Sequence, residues 1–223
     1  MKKIDSLGLL RESRASLSGN WGKGILLTLF YWCLTVIVNF LLYLLLGLCG
    51  IDLDSDIASF FELPLNIFFT IPLGFGLIIA FLSFVKDAKV LDVRNNVFST
   101  FNKMYYWKTI GVSLLLGIYV FLWTLLLIVP GIIKALSYSM ATYIIAENPE
   151  MRAEEAIQRS MKMMDGHKME LFILGLLEFG LGLLSIFTLF IGMLWIMPWM
   201  QVVMAKFYLY VKEDYESRAT LVE

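Results

Sequence analysis

From Leu26 to Leu46 the chain carries no charged residue, and uncharged or nearly uncharged apolar runs of comparable kind return five more times. A helix that crosses a bilayer needs about 20 mainly apolar residues. In lipid such a run must satisfy its own backbone hydrogen bonds, which leaves helices and closed barrels. Runs this long and this continuously apolar fit helices. The runs cover about 24–48, 64–85, 109–129, 132–146, 170–186 and 192–211. They raise the hydrophobic share of the 223 residues to 59% and the mean hydropathy to +0.77, above a soluble chain. The expected fold is therefore all-α: a single polytopic membrane domain over 1–223 with six transmembrane helices.

Prolines and glycines punctuate the spans. Pro64 suits the first turn of span two, and Pro72 inside it predicts a kink. Pro130-Gly131 is read as a sharp turn between spans three and four. Span four is short for a crossing, so it is little tilted, thins the bilayer, or starts below the surface. Between spans four and five, Asn148-Pro149-Glu150 reads as a helix start, with an amphipathic helix over 149–165 ending at Gly166. Residues 1–20 form another amphipathic stretch, with Leu7, Leu10 and Leu17 as its stripe and Leu9 beside them. Both are expected to lie on the membrane surface, with Trp21 as an interfacial anchor. The first apolar run arrives late and is too long for the core of a cleavable signal.

The charges are segregated, and this sets the threading. Net charge is −1, so no global basic field exists for nucleic acid. Of the 18 Lys and Arg, only Lys134 falls on the side of the Asp52, Asp54, Asp56 loop. Lys86, Lys89, Arg94 and Lys108 lie with the termini on the other side. The positive-inside rule then puts both termini in the cytoplasm.

A repeat is visible. Each third of the chain offers an amphipathic segment, a full span, and a returning span with a proline: Pro72, Pro130 or Pro198. Gly19-Asn20-Trp21 matches Gly166-His167-Lys168, which sets Leu10 and Leu17 opposite Ile157 and Met164. The segment before Trp107-Lys108 aligns poorly. A threefold internal repeat and the general sameness of any six-span chain both account for the pattern. Gly76 with Ala80, Ala135 with Ser139, and Ser137 with Ala141 provide small-residue packing pairs.

Several of these pieces carry a resemblance. They are the run from Arg14-Ala15-Ser16-Leu17 to Gly22, the run from Val129-Pro130-Gly131 to Met140, Glu147-Asn148-Pro149-Glu150, and Ala156 to Lys168. In them the chain resembles the bacterial integral-membrane family catalogued as domain of unknown function 975. The resemblance implies a six-span protein of the bacterial plasma membrane. It supplies no activity and no catalytic residues.

Ionisable residues inside a span cost about 2.5–3.5 kcal/mol on insertion scales and are functional candidates by default. Glu178 lies roughly 12 Å into span five, near midplane. Lys134 lies about one turn inside the outer surface. With Asn39, Asn66, Tyr138 and Gln201 they are candidates to line one polar site, either proton- or cation-linked or a groove for a substrate. The structural reading makes Glu178 a neutral carboxyl bonded between helices. It sends Lys134 outward to headgroups or to the acidic loop.

Enzyme signatures are missing. One histidine, His167, cannot supply a histidine cluster for a metal, and no HExxH, GxSxG or phosphate-cradling glycine loop occurs. Neither catalytic residue, metal nor cofactor is expected. Cys33 and Cys49, 16 residues apart on one helix, stand roughly 24 Å apart and cannot pair; both read as small buried apolar residues. The methionines of 161–164 and 197–204 read as packing.

Two functions stay open on these residues. One is a non-enzymatic protein for transport, export assistance or binding of a lipid or amphiphile, its site lined by polar residues of spans four to six. The other is a structural or interaction protein, such as an assembly factor, an immunity-type protein or a sensor subunit. The expected partners are the bilayer, a small or amphiphilic substrate, and a membrane protein.

Overall fold

The computed structural model describes residues 5–52, 56–87 and 98–220. Asp54, Lys89 and Arg94 lie outside them. All regular structure among the described residues is helical. Helix α1 spans Ser6–Ser16, and α2, Trp21–Leu48, is span one. Span two joins α3 (Asp56–Leu65), a π-turn (Asn66–Thr70) and α4 (Ile71–Asp87). A 3₁₀ turn at Ser99–Phe101 leads into α5 (Lys103–Leu126), span three. Span four is broken into α6 (Ile128–Tyr138) and α7 (Ala141–Glu147). Helix α8 (Ala153–Met163) precedes span five, α9 (Lys168–Ile186), and span six, α10 (Met193–Thr220). Among the described residues six segments are long and apolar enough to cross a membrane, so the architecture is that of a six-span, multi-pass membrane protein.

Burial sorts the spans into two rings. Only 11%, 17% and 17% of the most apolar stretches of spans one, three and five are buried, against 50%, 44% and 44% for spans two, four and six. The returning spans form the centre because they bring small residues together. Gly76, Ala80, Ser137, Ala141 and Ala205 are buried there. The outgoing spans are apolar on every side and face outward, as lipid-exposed helices do. Cys33 and Cys49 ride on span one and are exposed, contrary to their reading as core residues.

Two returning spans interrupt their helices, and neighbours take over the freed backbone groups. Pro72 has no N–H for the carbonyl of Phe68, one helical turn back. The Tyr106 hydroxyl donates to that carbonyl at 3.0 Å, and buried Thr100 donates to the carbonyl of Pro72 at 2.6 Å. The expected distortion at Pro72 thus takes the form of the preceding π-turn. Pro64 sits within α3 rather than opening the span. In span four, Ser160 of α8 enters the break. Its hydroxyl donates to the carbonyl of Ser137 at 2.8 Å and accepts the N–H of Met140 at 3.2 Å. The Leu136 carbonyl, deprived of Met140, takes the Ser139 hydroxyl at 2.8 Å.

The turn between spans three and four comes earlier than expected. Leu127 is extended (φ −162°, ψ 140°), and Ile128 already starts α6. Pro130 therefore falls in a first turn, where its missing donor costs nothing. Gly131 is required for another reason: a Cβ there would stand 2.5 Å from Thr124 Oγ1 and 2.9 Å from Thr124 Cα. Asn148 closes α7, its N–H bonded to Ile144 at 2.8 Å, so the next helix starts at Ala153 and not at Asn148. The polar tail after Val211 continues α10 to Thr220.

Each of the two amphipathic helices packs one face against the bundle. Ala156, Ile157, Ser160, Met163 and Met164 of the α8 segment are buried. In α1, Leu9, Leu10 and Ser13 are buried while Leu7 is exposed, which rotates the expected stripe. Trp199 donates to the carbonyl of Leu10 at 3.1 Å, and Lys206 pairs with Glu12 at 2.6 Å, fixing α1 along span six. At a shift of 147 residues the bounds of α1 and the start of α2 coincide with those of α8 and the start of α9. Gly19 and Gly166 both turn the chain at positive φ, +80° and +87°, and buried Ser13 corresponds to buried Ser160.

Replacing Gly131 by Ala must push apart the hairpin of spans three and four, because the obstructing atom is backbone. A loss of about 1–3 kcal/mol is expected, read as a lower unfolding midpoint of the purified protein. Gly117→Ala, where nothing stands in the way of a Cβ, should leave the midpoint unchanged or slightly raised.

Candidate functional site

A cavity of about 330 Å³ opens among spans one, two, four, five and six. Glu178 of α9 and Gln201 of α10 bring a carboxyl and an amide to it. Tyr31 and Trp32 of α2 and Tyr143 of α7 supply aromatic wall, and Met197, Met200 and Met204 of α10 a flexible apolar one. Thr28 also lines it, its hydroxyl spent on the carbonyl of Gly24 at 2.9 Å. Thr28, Tyr31 and Trp32 share one face of α2 by their spacing. Trp32 donates its N–H to the Met197 sulfur at 3.2 Å, which ties spans one and six at the rim. Glu178 makes no hydrogen bond or ion pair among the described residues. Its carboxyl is exposed to the cavity and not bonded between helices.

Of the six residues expected to share a site, two meet there: Glu178 and Gln201. Lys134 lies 4.7 Å over the ring of Trp123, a cation–π contact within its own hairpin. Tyr138 is buried against Tyr119, ring centres 6.1 Å apart. Asn39 donates to the carbonyl of Thr35 at 2.9 Å on its own helix. Asn66 opens the π-turn, where its carbonyl accepts the N–H of Ile71. These four positions serve local structure and do not line the cavity.

Sequence reasoning missed two sets of residues. Tyr31, Trp32 and Tyr143 lie within apolar runs, and nothing local sets them apart. Glu62, taken as preceding span two, lies inside it and accepts the Tyr43 hydroxyl at 3.1 Å. The second set gathers at the end of the bundle where α4, α7 and the last turns of α10 meet. There Glu147 pairs with Lys86, with Lys212 at 2.7 Å and with the Tyr208 hydroxyl at 2.6 Å. Tyr208 stacks on Tyr143, ring centres 5.4 Å apart, so one pair of rings joins the cavity wall to this cluster. Beside it, fully buried His167 holds Glu170 through Nδ1 at 2.6 Å and Asp214 through Nε2 at 3.1 Å. Arg218 reaches the same Asp214 oxygen at 3.0 Å. A cue was available: Glu147 closes α7 and His167 precedes α9, both at the ends of apolar helices.

A family model described as Protein of unknown function (DUF975) matches residues 1–137 and 125–215. The chain belongs to the DUF975 family. No curated protein and no solved structure matches it. In this DUF975 protein no group of three or more His, Cys, Asp or Glu that could hold a metal occurs among the described residues. The cavity chemistry is thus one carboxyl, one amide and an aromatic and thioether wall.

Removing the Glu147 carboxylate strands Lys86, Lys212 and Tyr208 at a closely packed end. Hydrogen bonds to charged groups contribute about 1.5–3 kcal/mol, and Glu147→Ala should destabilise the purified protein by that order. Glu216→Ala, on an exposed and more distant partner of Lys212 at 3.9 Å, should cost less than about 1 kcal/mol. Thermal unfolding of the two variants side by side checks the contrast.

Proposed function

We propose that this protein is a non-enzymatic component of the bacterial plasma membrane, with both termini cytoplasmic, that binds a small or amphiphilic cation in the Glu178–Gln201 cavity for transport or export. One observation carries this reading: the only charged side chain lining the cavity is a carboxyl with no protein partner among the described residues. A carboxyl in an aromatic and thioether pocket suits an ammonium or another soft cation carrying apolar groups. The methionines let the wall adapt to ligands of different shape. Clustering of the lysines and arginines with the termini supports the orientation. Reporter fusions at each terminus should report a cytoplasmic location.

The structural and interaction reading applies to Lys134, Tyr138, Asn39 and Asn66, whose neighbours in the fold account for them. Glu178 is what separates the two readings. Binding of tetraphenylphosphonium to the purified protein, followed by quenching of Trp32 and its neighbours, should be saturable. Glu178→Gln should weaken it about tenfold, as loss of a charge-assisted contact does, with the unfolding midpoint kept. Equal binding by wild type, Glu178→Gln and Gln201→Leu would remove the cavity as a cation site.

A further inference from the structure

A second cavity, of about 370 Å³, is lined by Arg14, Trp21, Trp195, Ile196 and Trp199. It touches α1, α2 and α10 and shares no lining residue with the Glu178 cavity. Its polar side chains are all donors: a guanidinium and three indoles have N–H groups and no hydrogen-bonding acceptor. The Trp199 N–H is spent on the carbonyl of Leu10 at 3.1 Å. Arg14, Trp21 and Trp195 make no side-chain hydrogen bond or ion pair among the described residues. Three unspent donors therefore surround an aromatic and aliphatic space.

The charge of α1 points the same way. Glu12 is neutralised by Lys206 at 2.6 Å, which leaves Arg11 and Arg14 as the charges of that helix with no ion pair among the described residues. Only Arg14 turns into the cavity. Arginine recognises phosphate through two parallel N–H groups, and tryptophan settles where headgroups meet acyl chains.

We propose that this second cavity binds the phosphodiester headgroup of an anionic phospholipid. The Arg14 guanidinium faces the phosphate, the Trp21 and Trp195 N–H groups complete the donor set, and the acyl chains run along Ile196 and the indole faces. This lipid site is independent of the cation cavity and tests separately from it.

The purified full-length protein is titrated in neutral detergent with dioleoyl phosphatidylglycerol, with dioleoyl phosphatidylcholine and with inorganic phosphate, following bound lipid by native mass spectrometry. Phosphatidylglycerol should bind saturably and about tenfold more tightly than phosphatidylcholine, whose phosphodiester is the same but whose choline cation offsets its attraction to Arg14. Arg14→Gln should erase that preference, and Arg14→Lys should restore part of it. Arg11→Gln, on the same helix but outside the cavity, should retain the preference in full. Arg14→Gln breaks no bond within the fold, so its unliganded unfolding midpoint should match wild type. An unchanged preference in Arg14→Gln overturns the site, as does an equal loss in Arg11→Gln, which would mean diffuse attraction only. Inorganic phosphate that displaces phosphatidylglycerol at comparable concentration would make the ligand a free phosphate and overturn the lipid assignment.

Discussion

A helix that breaks inside a membrane protein must hand its freed backbone groups to a neighbour, because lipid supplies neither donors nor acceptors. That constraint organises this molecule. Span two breaks ahead of Pro72, and hydroxyls of Tyr106 and Thr100 meet its carbonyls. Span four breaks at Ser139 and Met140, and one hydroxyl, Ser160, serves both sides of the gap. Each repair comes from the segment that follows in the chain. The breaks therefore determine where α8 and the start of span three must pack, and through them the order of elements around the centre.

The spans were legible because a long uncharged run has few other outcomes in lipid. The repeat was legible from Gly19-Asn20 and Gly166-His167, since a left-handed turn before a new helix favours glycine at one position. The breaks were not legible. Ser137, Ser139 and Thr142 look like small polar residues of an ordinary span, and only the arrival of Ser160 gives the gap a partner. Pro130 misled for the opposite reason. Proline suits a turn and a helix start equally, and the clash of a Cβ at Gly131 with Thr124 is a tertiary fact. The amphipathic helices announced an apolar face but not what it packs on, because the pattern cannot distinguish a membrane surface from a protein groove.

The candidate site was half visible for a similar reason. Glu178 and Gln201 stood out because polar groups in a span are costly. Lys134 stood out equally, yet the ring of Trp123 one helix away absorbs it. Whether an isolated charge is free depends on what the neighbouring helix presents. Tyr143 shows the converse: an unremarked aromatic that lines the cavity on one side and stacks on Tyr208 on the other. Since Tyr208 is bonded to Glu147, the cavity wall is anchored to the charged cluster by a rigid pair of rings. The site is built from the packed centre outward, with the Glu178 carboxyl facing the space that is left.

The near-symmetry of the repeat explains one residue that otherwise has no account. Ser13 is the counterpart of Ser160 in the first copy and is equally buried, but its hydroxyl has no partner among the described residues. Its helix packs along span six, which runs unbroken from Met193 to Thr220. Span six loses one internal bond at Pro198, which has no N–H for the carbonyl of Leu194, but its helix continues without the gap that Ser160 fills in span four. The third copy's α8 instead faces span four, which is broken, and the same serine position closes the break. A buried unpaired hydroxyl costs about 1–3 kcal/mol, which the close fit of Leu9, Leu10 and Leu17 offsets by burial. Ser13 thus marks a position whose bonding role belongs to the repeat and is expressed only where the facing span gives way.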